Sequence, residues 1–177
     1  AEDLAVIAEN LKEMLSQFKI SEVEDQQLEE KTESTQDDSA DEILIEWHES
    51  LSVNIPEIDE QHKKLVDLIN GLHSAMKSGK SRSIVGETLN GLIEYTAMHF
   101  EHEEVLMDMH KYPKFKEHKA VHEKLVSAVL DYRERFQNQE AFVAMDLMEF
   151  LKDWLINHIK GTDKEYSSHL REKMGFS

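Results

Sequence analysis

Along most of the chain, apolar residues recur at alternating spacings of three and four, the period of helices that bury one stripe. The first stripe, His62, Leu65, Ile69, Leu72 and Met76, predicts a helix over about 57–78 that ends at Ser-Gly-Lys-Ser. The second, Val85, Leu89, Leu92, Thr96, His99, Glu103 and Leu106, predicts a helix over about 83–110. Phe115, His118, His122, Leu125, Val129, Tyr132 and Phe136 predict a third over about 114–137, and Val143, Leu147, Leu151, Trp154 and His158 a fourth over about 140–160. A short terminal helix is expected over 164–174. The connections are brief, so sequential helices must run antiparallel. The fold class is therefore all-α, an up-down-up-down four-helix bundle. Ahead of it, residues 43–56 (ILIEWHESLSVNIP) read as an apolar extended arm packed on the bundle, with Pro56 opening the first helix.

The start of the chain follows other rules. Leu4, Ile7, Leu11, Met14 or Leu15, and Phe18 form the a/d seam of a coiled coil only two to three heptads long. The run LAVIAENLKEMLSQFKI resembles the last turns of the cytoplasmic signalling coiled coil of bacterial chemoreceptors, which implies an upstream signalling partner. The chain begins with Ala and so reads as a segment of something longer. Residues 21–42 hold ten acidic side chains and one lysine and have no apolar face, so they read as a flexible linker. Three parts result: a coiled-coil fragment over 1–20, an acidic linker over 21–42, and a helical domain over 43–177.

Composition narrows the chemistry. No cysteine is present, which removes disulfides, iron–sulfur clusters and thiolate zinc sites. A net charge of −17 argues against nucleic acid, whose phosphates need a basic surface. No apolar run approaches the roughly 18 residues of a membrane span, so no membrane contact and a cytoplasmic location are expected.

Against this background, histidine and glutamate interrupt the apolar stripes at core positions. A buried polar group is costly unless partnered, so these residues must meet something inside the bundle. His99 and Glu103, and likewise His118 and His122, are four apart and share a helix face. Counting from each turn at about 1.5 Å per residue brings His62, His99, Glu103, His118, His122 and His158 to one height, near the second turn. Asp163 lies five beyond His158, rotated away in a regular helix, but Gly161 and Thr162 between them allow the helix to widen and swing the carboxylate inward. Five imidazoles and two carboxylates exceed the capacity of one metal ion. Two ions sharing both carboxylates and a bridging oxygen, one taking three histidines and the other two, account for the set and leave one coordination position open. Such mixed ligation suits iron and dioxygen better than magnesium or structural zinc. The Glu-x-x-His pairs of ferritin-like oxidases and the HExxH of zinc proteases are absent from the sequence.

The runs DEQH at 59–62, HFEHEE at 99–104, HKAVH at 118–122 and WLINHIKGTDKEY at 154–166 together resemble the bacterial branch of the hemerythrin family over about residues 44–171. The resemblance implies a cofactor of two iron ions with a bridging oxo or hydroxo oxygen, and dioxygen as the reversible ligand. It implies that His118, His122 and His158 hold the saturated iron, His62 and His99 the iron with the open position, and that Glu103 and Asp163 bridge. The oxygen pocket would be lined by Leu65, Phe100, Trp154, Leu155 and Ile159. The expected role is oxygen binding without turnover, used for sensing; carriage or storage, and weak oxidase or peroxide or nitric oxide scavenging, are the alternatives. His48, His73, His102, His110 and His169 are expected to be structural. Because residues 43–56 must reach the first helix at the metal end, the chain is expected to enter the domain near the metals.

Overall fold

Pro56 takes the first helical position, where its missing N–H is no loss, and opens α1 (Pro56–Lys77). Then come α2 (Arg82–Met109), α3 (Phe115–Gln137), α4 (Val143–Asn157), a π-helical segment (His158–Asp163) and α5 (Lys164–Met174). These positions come from a computed structural model that describes residues 43–176; the seam expected over 1–20 and the linker over 21–42 lie outside the described residues. Each helix packs on its neighbour in sequence, and α4 returns to α1, which closes the up-down-up-down four-helix bundle. No helix among the described residues is long and apolar enough to cross a membrane.

The turns share one mechanism. After α1, the Gly79 N–H bonds the Met76 carbonyl and the Lys80 N–H the Ala75 carbonyl, with Gly79 left-handed at φ 63°. The same paired bonds end α2 through Lys111 (φ 56°) and α3 through Gln139 (φ 60°). This is the Schellman closure, which satisfies the last carbonyls of a helix. Lys111 and Gln139 adopt a conformation easy only for glycine, at about 1 kcal/mol each. The fourth helix begins at Val143, three residues later than periodicity predicts, because Phe142 is also left-handed (φ 64°) and breaks the run there.

Both ends of the bundle are closed by contacts far apart in sequence. At the end holding the α1–α2 turn, the Arg82 guanidinium donates to the Phe136 carbonyl and lies over the Phe136 ring. At the other end α5 folds across the α2–α3 turn, through a 2.8 Å Lys114–Glu165 ion pair and a 2.9 Å bond from His169 to the His110 carbonyl.

The arm runs along α1, held at two points. Asp59 accepts from the Val53 N–H (2.7 Å) and the Ser52 hydroxyl (2.6 Å), while Asn70 accepts from the N–H groups of Leu44 and Ile45 and donates to the Ile45 carbonyl. Asn70 lies eight residues, about 12 Å, beyond His62 along α1. The chain therefore enters the domain away from the metal end, and only the end of the arm reaches it; this corrects the expectation drawn from chain order. Asp59→Ala should cost about 2 kcal/mol, because the Ser52 hydroxyl and Val53 N–H lose their charged acceptor in a buried place. A urea midpoint unchanged by that substitution would show the pin to be dispensable.

Candidate metal centre

Seven side chains converge near the α2–α3 turn. α1 supplies His62, α2 His99 and Glu103, α3 His118 and His122, and the π segment His158 and Asp163. All are buried, with Glu103, His62, His122 and Asp163 wholly so. The π segment is what delivers Asp163. Widened hydrogen bonding changes the rotation per residue, and the Asp163 Oδ1 comes 3.0 Å from His158 Nε2. One ligand-capable atom from each of Glu103, His118, His122, His158 and Asp163 falls within 4.8 Å of all the others, and so does a second group of His62, His99 and Glu103.

The division between the two groups lies in the carboxylates. Glu103 turns Oε1 toward His62 (3.7 Å) and His99 (3.6 Å), and Oε2 toward His118 (3.6 Å) and His122 (3.2 Å). Asp163 turns Oδ2 toward His62 (3.3 Å), and Oδ1 toward His118 (3.5 Å) and His158 (3.0 Å). Each carboxylate thus serves two imidazoles on one side and one or two on the other.

The donors fit metal ions better than they fit one another. His118 Nε2 lies 3.0 Å from His122 Nε2, which lies 3.2 Å from His158 Nε2. Three converging ring nitrogens cannot all be satisfied by shared protons. Two ligands at right angles, each about 2.1 Å from a common ion, stand about 3 Å apart, which is the spacing found. His62 Nε2, Glu103 Oε2 and both Asp163 oxygens are buried without a hydrogen-bond partner. Orphaned polar atoms in such number are rare in a folded interior and point to a missing cation.

Electrostatics agrees. Burial pushes the Glu103 and Asp163 carboxyls up, but the surrounding imidazoles outweigh it, holding Glu103 well below the usual range and Asp163 at about 2. Both remain ionised in a site closed to solvent. Burial likewise opposes charge on His62 and His122, yet the carboxylates raise each to about 9; His99, where burial prevails, falls to about 3. Two ionised carboxylates in a closed site favour positive charge beside them, which metal cations would supply in place of protonated imidazoles.

A surrounding layer aims these donors. His99 Nδ1 donates to the Gln61 side-chain oxygen at 2.8 Å, His122 Nδ1 to Glu104 at 3.1 Å, and Lys119 holds the other Glu104 oxygen at 2.9 Å. The Tyr166 hydroxyl donates to Glu103 Oε1. Sequence reasoning passed over Gln61, Glu104, Lys119 and Tyr166, although each lies in or beside the histidine motifs; the one signal was that Glu104 is a second acid next to Glu103, which does not reveal its role. Partners of ligating imidazoles tune affinity, so Glu104→Ala should weaken metal binding about 10- to 100-fold. A competition titration with a chelator reads this, and unchanged affinity would refute it.

Leu65, Phe100, Leu155 and Ile159 are fully buried. Trp154 is half-buried, stacked on His158 at 5.2 Å, and Phe100 stacks on His122 at 3.7 Å and reaches His99 at 5.8 Å. The two aromatics thus wall the three-imidazole side. His48, His73, His102, His110 and His169 belong to neither group.

Such a cluster within this bundle defines the class: a four-helix metal-binding domain. A family description, the hemerythrin HHE cation binding domain, matches residues 53–170, and the chain belongs to the hemerythrin family, whose domain carries a non-haem di-iron centre and binds dioxygen. Bacteriohemerythrin of Methylococcus capsulatus is 40% identical over 124 residues, covering 70% of this chain and 94% of that protein. Bacteriohemerythrin of Stenotrophomonas maltophilia is 38% identical over 128 residues, 72% of this chain and 82% of its own length. A crystal structure of a wild-type hemerythrin superposes with a TM-score of 0.67 at 40% identity, covering 72% of this chain and 98% of that one.

Proposed function

We propose that His118, His122 and His158 hold one iron and His62 and His99 the other, that Glu103 and Asp163 bridge them, and that reversible dioxygen binding there serves oxygen or redox sensing. The observation that carries the ligand assignment is the division of carboxylate oxygens: each of Glu103 and Asp163 faces His62 with one oxygen and the three-imidazole group with the other. Three imidazoles against two leaves the second ion short of one protein ligand. Bound there, a pair of ferrous ions would supply the two electrons that dioxygen takes on binding and returns on release.

The chain's own part is positional and protective. Tyr166 holds the Glu103 carboxylate by its hydroxyl, and Gln61 and Glu104 fix the rings of His99 and His122. Leu65, Leu155 and Ile159 keep the surroundings apolar, so water and protons are excluded. Replacing Leu155 with Asn should speed conversion of the oxygenated protein to the ferric form about tenfold, an effect of about 1.4 kcal/mol. Stopped-flow spectroscopy measures that rate; a variant no faster than the parent would remove Leu155 from this role.

The test of the ligand and oxygen reading is the visible spectrum of the reduced protein under nitrogen and then air, with iron analysis. Two irons per chain and bands that come and go with oxygen are expected; one iron, or bands that do not reverse, would overturn it. Sensing is supported by the chemoreceptor-like residues 4–20 and by the arm, pinned through Asp59 three residues before His62. A switch requires two states that differ in the free energy of docking the arm. Hydrogen exchange over residues 43–56 should therefore differ between reduced and oxidised protein while residues 78–81 stay unchanged. Identical protection would make the domain a carrier or store, and sustained turnover would make it an oxidase or scavenger.

A further inference from the structure

The outer face of α2 carries a second seam that the metal centre does not use. Ile84, Gly91, Met98 and Val105 recur every seven residues, with Met109 one turn further on. Ile84 is 45% exposed, Met98 43%, Val105 51% and Met109 64%. Positions seven apart on a helix drift by only about 20°, so these residues form one continuous stripe. From Ile84 to Met109 it is about 38 Å long. Among the described residues this apolar seam of heptad spacing stays turned to water, and such a seam is one half of a helix–helix contact.

Charge states what that partner is. Glu87, Glu94, Glu101 and Asp108 also recur every seven residues, all exposed, along one edge of the stripe. Ser83 donates to Glu87 at 3.3 Å and Lys111 lies 3.4 Å from Asp108, so the two ends of the row have local partners. Arg82, the one arginine of α2, which has no lysine, is directed to Phe136 instead. Flanking charges set partner choice in paired helices, and an acidic row selects a basic one.

We propose that this face of α2 docks an amphipathic helix of another protein whose apolar seam is flanked by lysine or arginine. A second copy of the chain fits poorly: antiparallel packing of two such seams sets the acidic row against itself. The same row repels an anionic membrane surface. The docked helix lies against the helix that presents His99 and Glu103, with Met98 adjoining His99 in sequence. The surface does not depend on what the metal centre binds.

The test uses the full chain and a synthetic 28-residue helix with leucine at a and d and lysine at the flanking positions, titrated by fluorescence anisotropy; a glutamate-flanked twin is the control. The lysine peptide should bind and the glutamate twin should not. Met98→Glu combined with Val105→Glu should weaken binding at least tenfold although it adds two negative charges. Phe142→Glu combined with Met145→Glu adds the same charge elsewhere, at side chains still more exposed, and should not weaken it. Diffuse attraction of a basic peptide to an acidic protein would strengthen with both pairs, so the sign of the change separates docking from attraction. Melting temperatures of both double variants confirm that the fold is kept. Unchanged or tighter binding by the Met98/Val105 variant overturns the proposal. So does a dimer of the parent chain that this variant converts to monomer, or cosedimentation with phosphatidylcholine vesicles that it abolishes.

Discussion

Glu103→Ala is expected to reduce bound iron below two per chain and to abolish the oxygen-dependent bands, while His73→Ala leaves both unchanged. Glu103 is the one residue common to both ligand groups, and its two oxygens face opposite sides of the centre. Without it, His62 and His99 keep a carboxylate only through Asp163, and the Tyr166 hydroxyl loses its acceptor. Loss of a bridging ligand should exceed the roughly 10- to 100-fold effect typical of residues that merely orient ligands. His73 shares a helix with His62 but lies eleven residues away, about 16 Å, beside Met76 and Met148 in an open cleft. Iron analysis of the two purified variants decides the matter, and equal loss in both would end the assignment of Glu103.

The second large effect is on stability. Stripping iron by reduction and chelation should lower the melting temperature by about 10 °C. A ligand present at about 1,000 times its dissociation constant stabilises the native state by about 4 kcal/mol. For a domain of this size each kcal/mol moves the midpoint by about 2–4 °C. The direction follows from the site: without cations, the unpartnered Glu103 and Asp163 oxygens and the converging histidine nitrogens remain in a dry core. Calorimetry of loaded and stripped protein measures it. Equal midpoints would mean that the polar cluster is satisfied without metal.

Much of the centre was legible before any coordinates because its residues lie on regular helices. His62, His99, Glu103, His118, His122 and His158 occupy seam positions, and short turns made their heights along the bundle countable. Asp163 was harder, since a regular helix points it away; Gly161 and Thr162 marked where the helix widens into the π segment. Glu104 was not legible in its role. It is chemically the twin of Glu103 and rotated about 100° from it, and only the position of α3 brings His122 Nδ1 and Lys119 to it. The course of the arm was misjudged for a similar reason. Chain order requires its end to reach Pro56 but says nothing of where its beginning lies, and Asn70, reading as one more polar residue of α1, turned out to bind Leu44 and Ile45.

By itself the sequence determined which faces of α1 to α4 are buried and which chemistry those faces carry, because helical periodicity is a property of neighbouring residues and survives any packing. The tertiary structure alone decided which carboxylate oxygen meets which imidazole, how Gln61, Glu104 and Tyr166 aim the donors, and where the arm is pinned. Those contacts reach as far along the chain as His62 to Asp163, and they depend on the rotation and offset of packed helices, which no local pattern encodes.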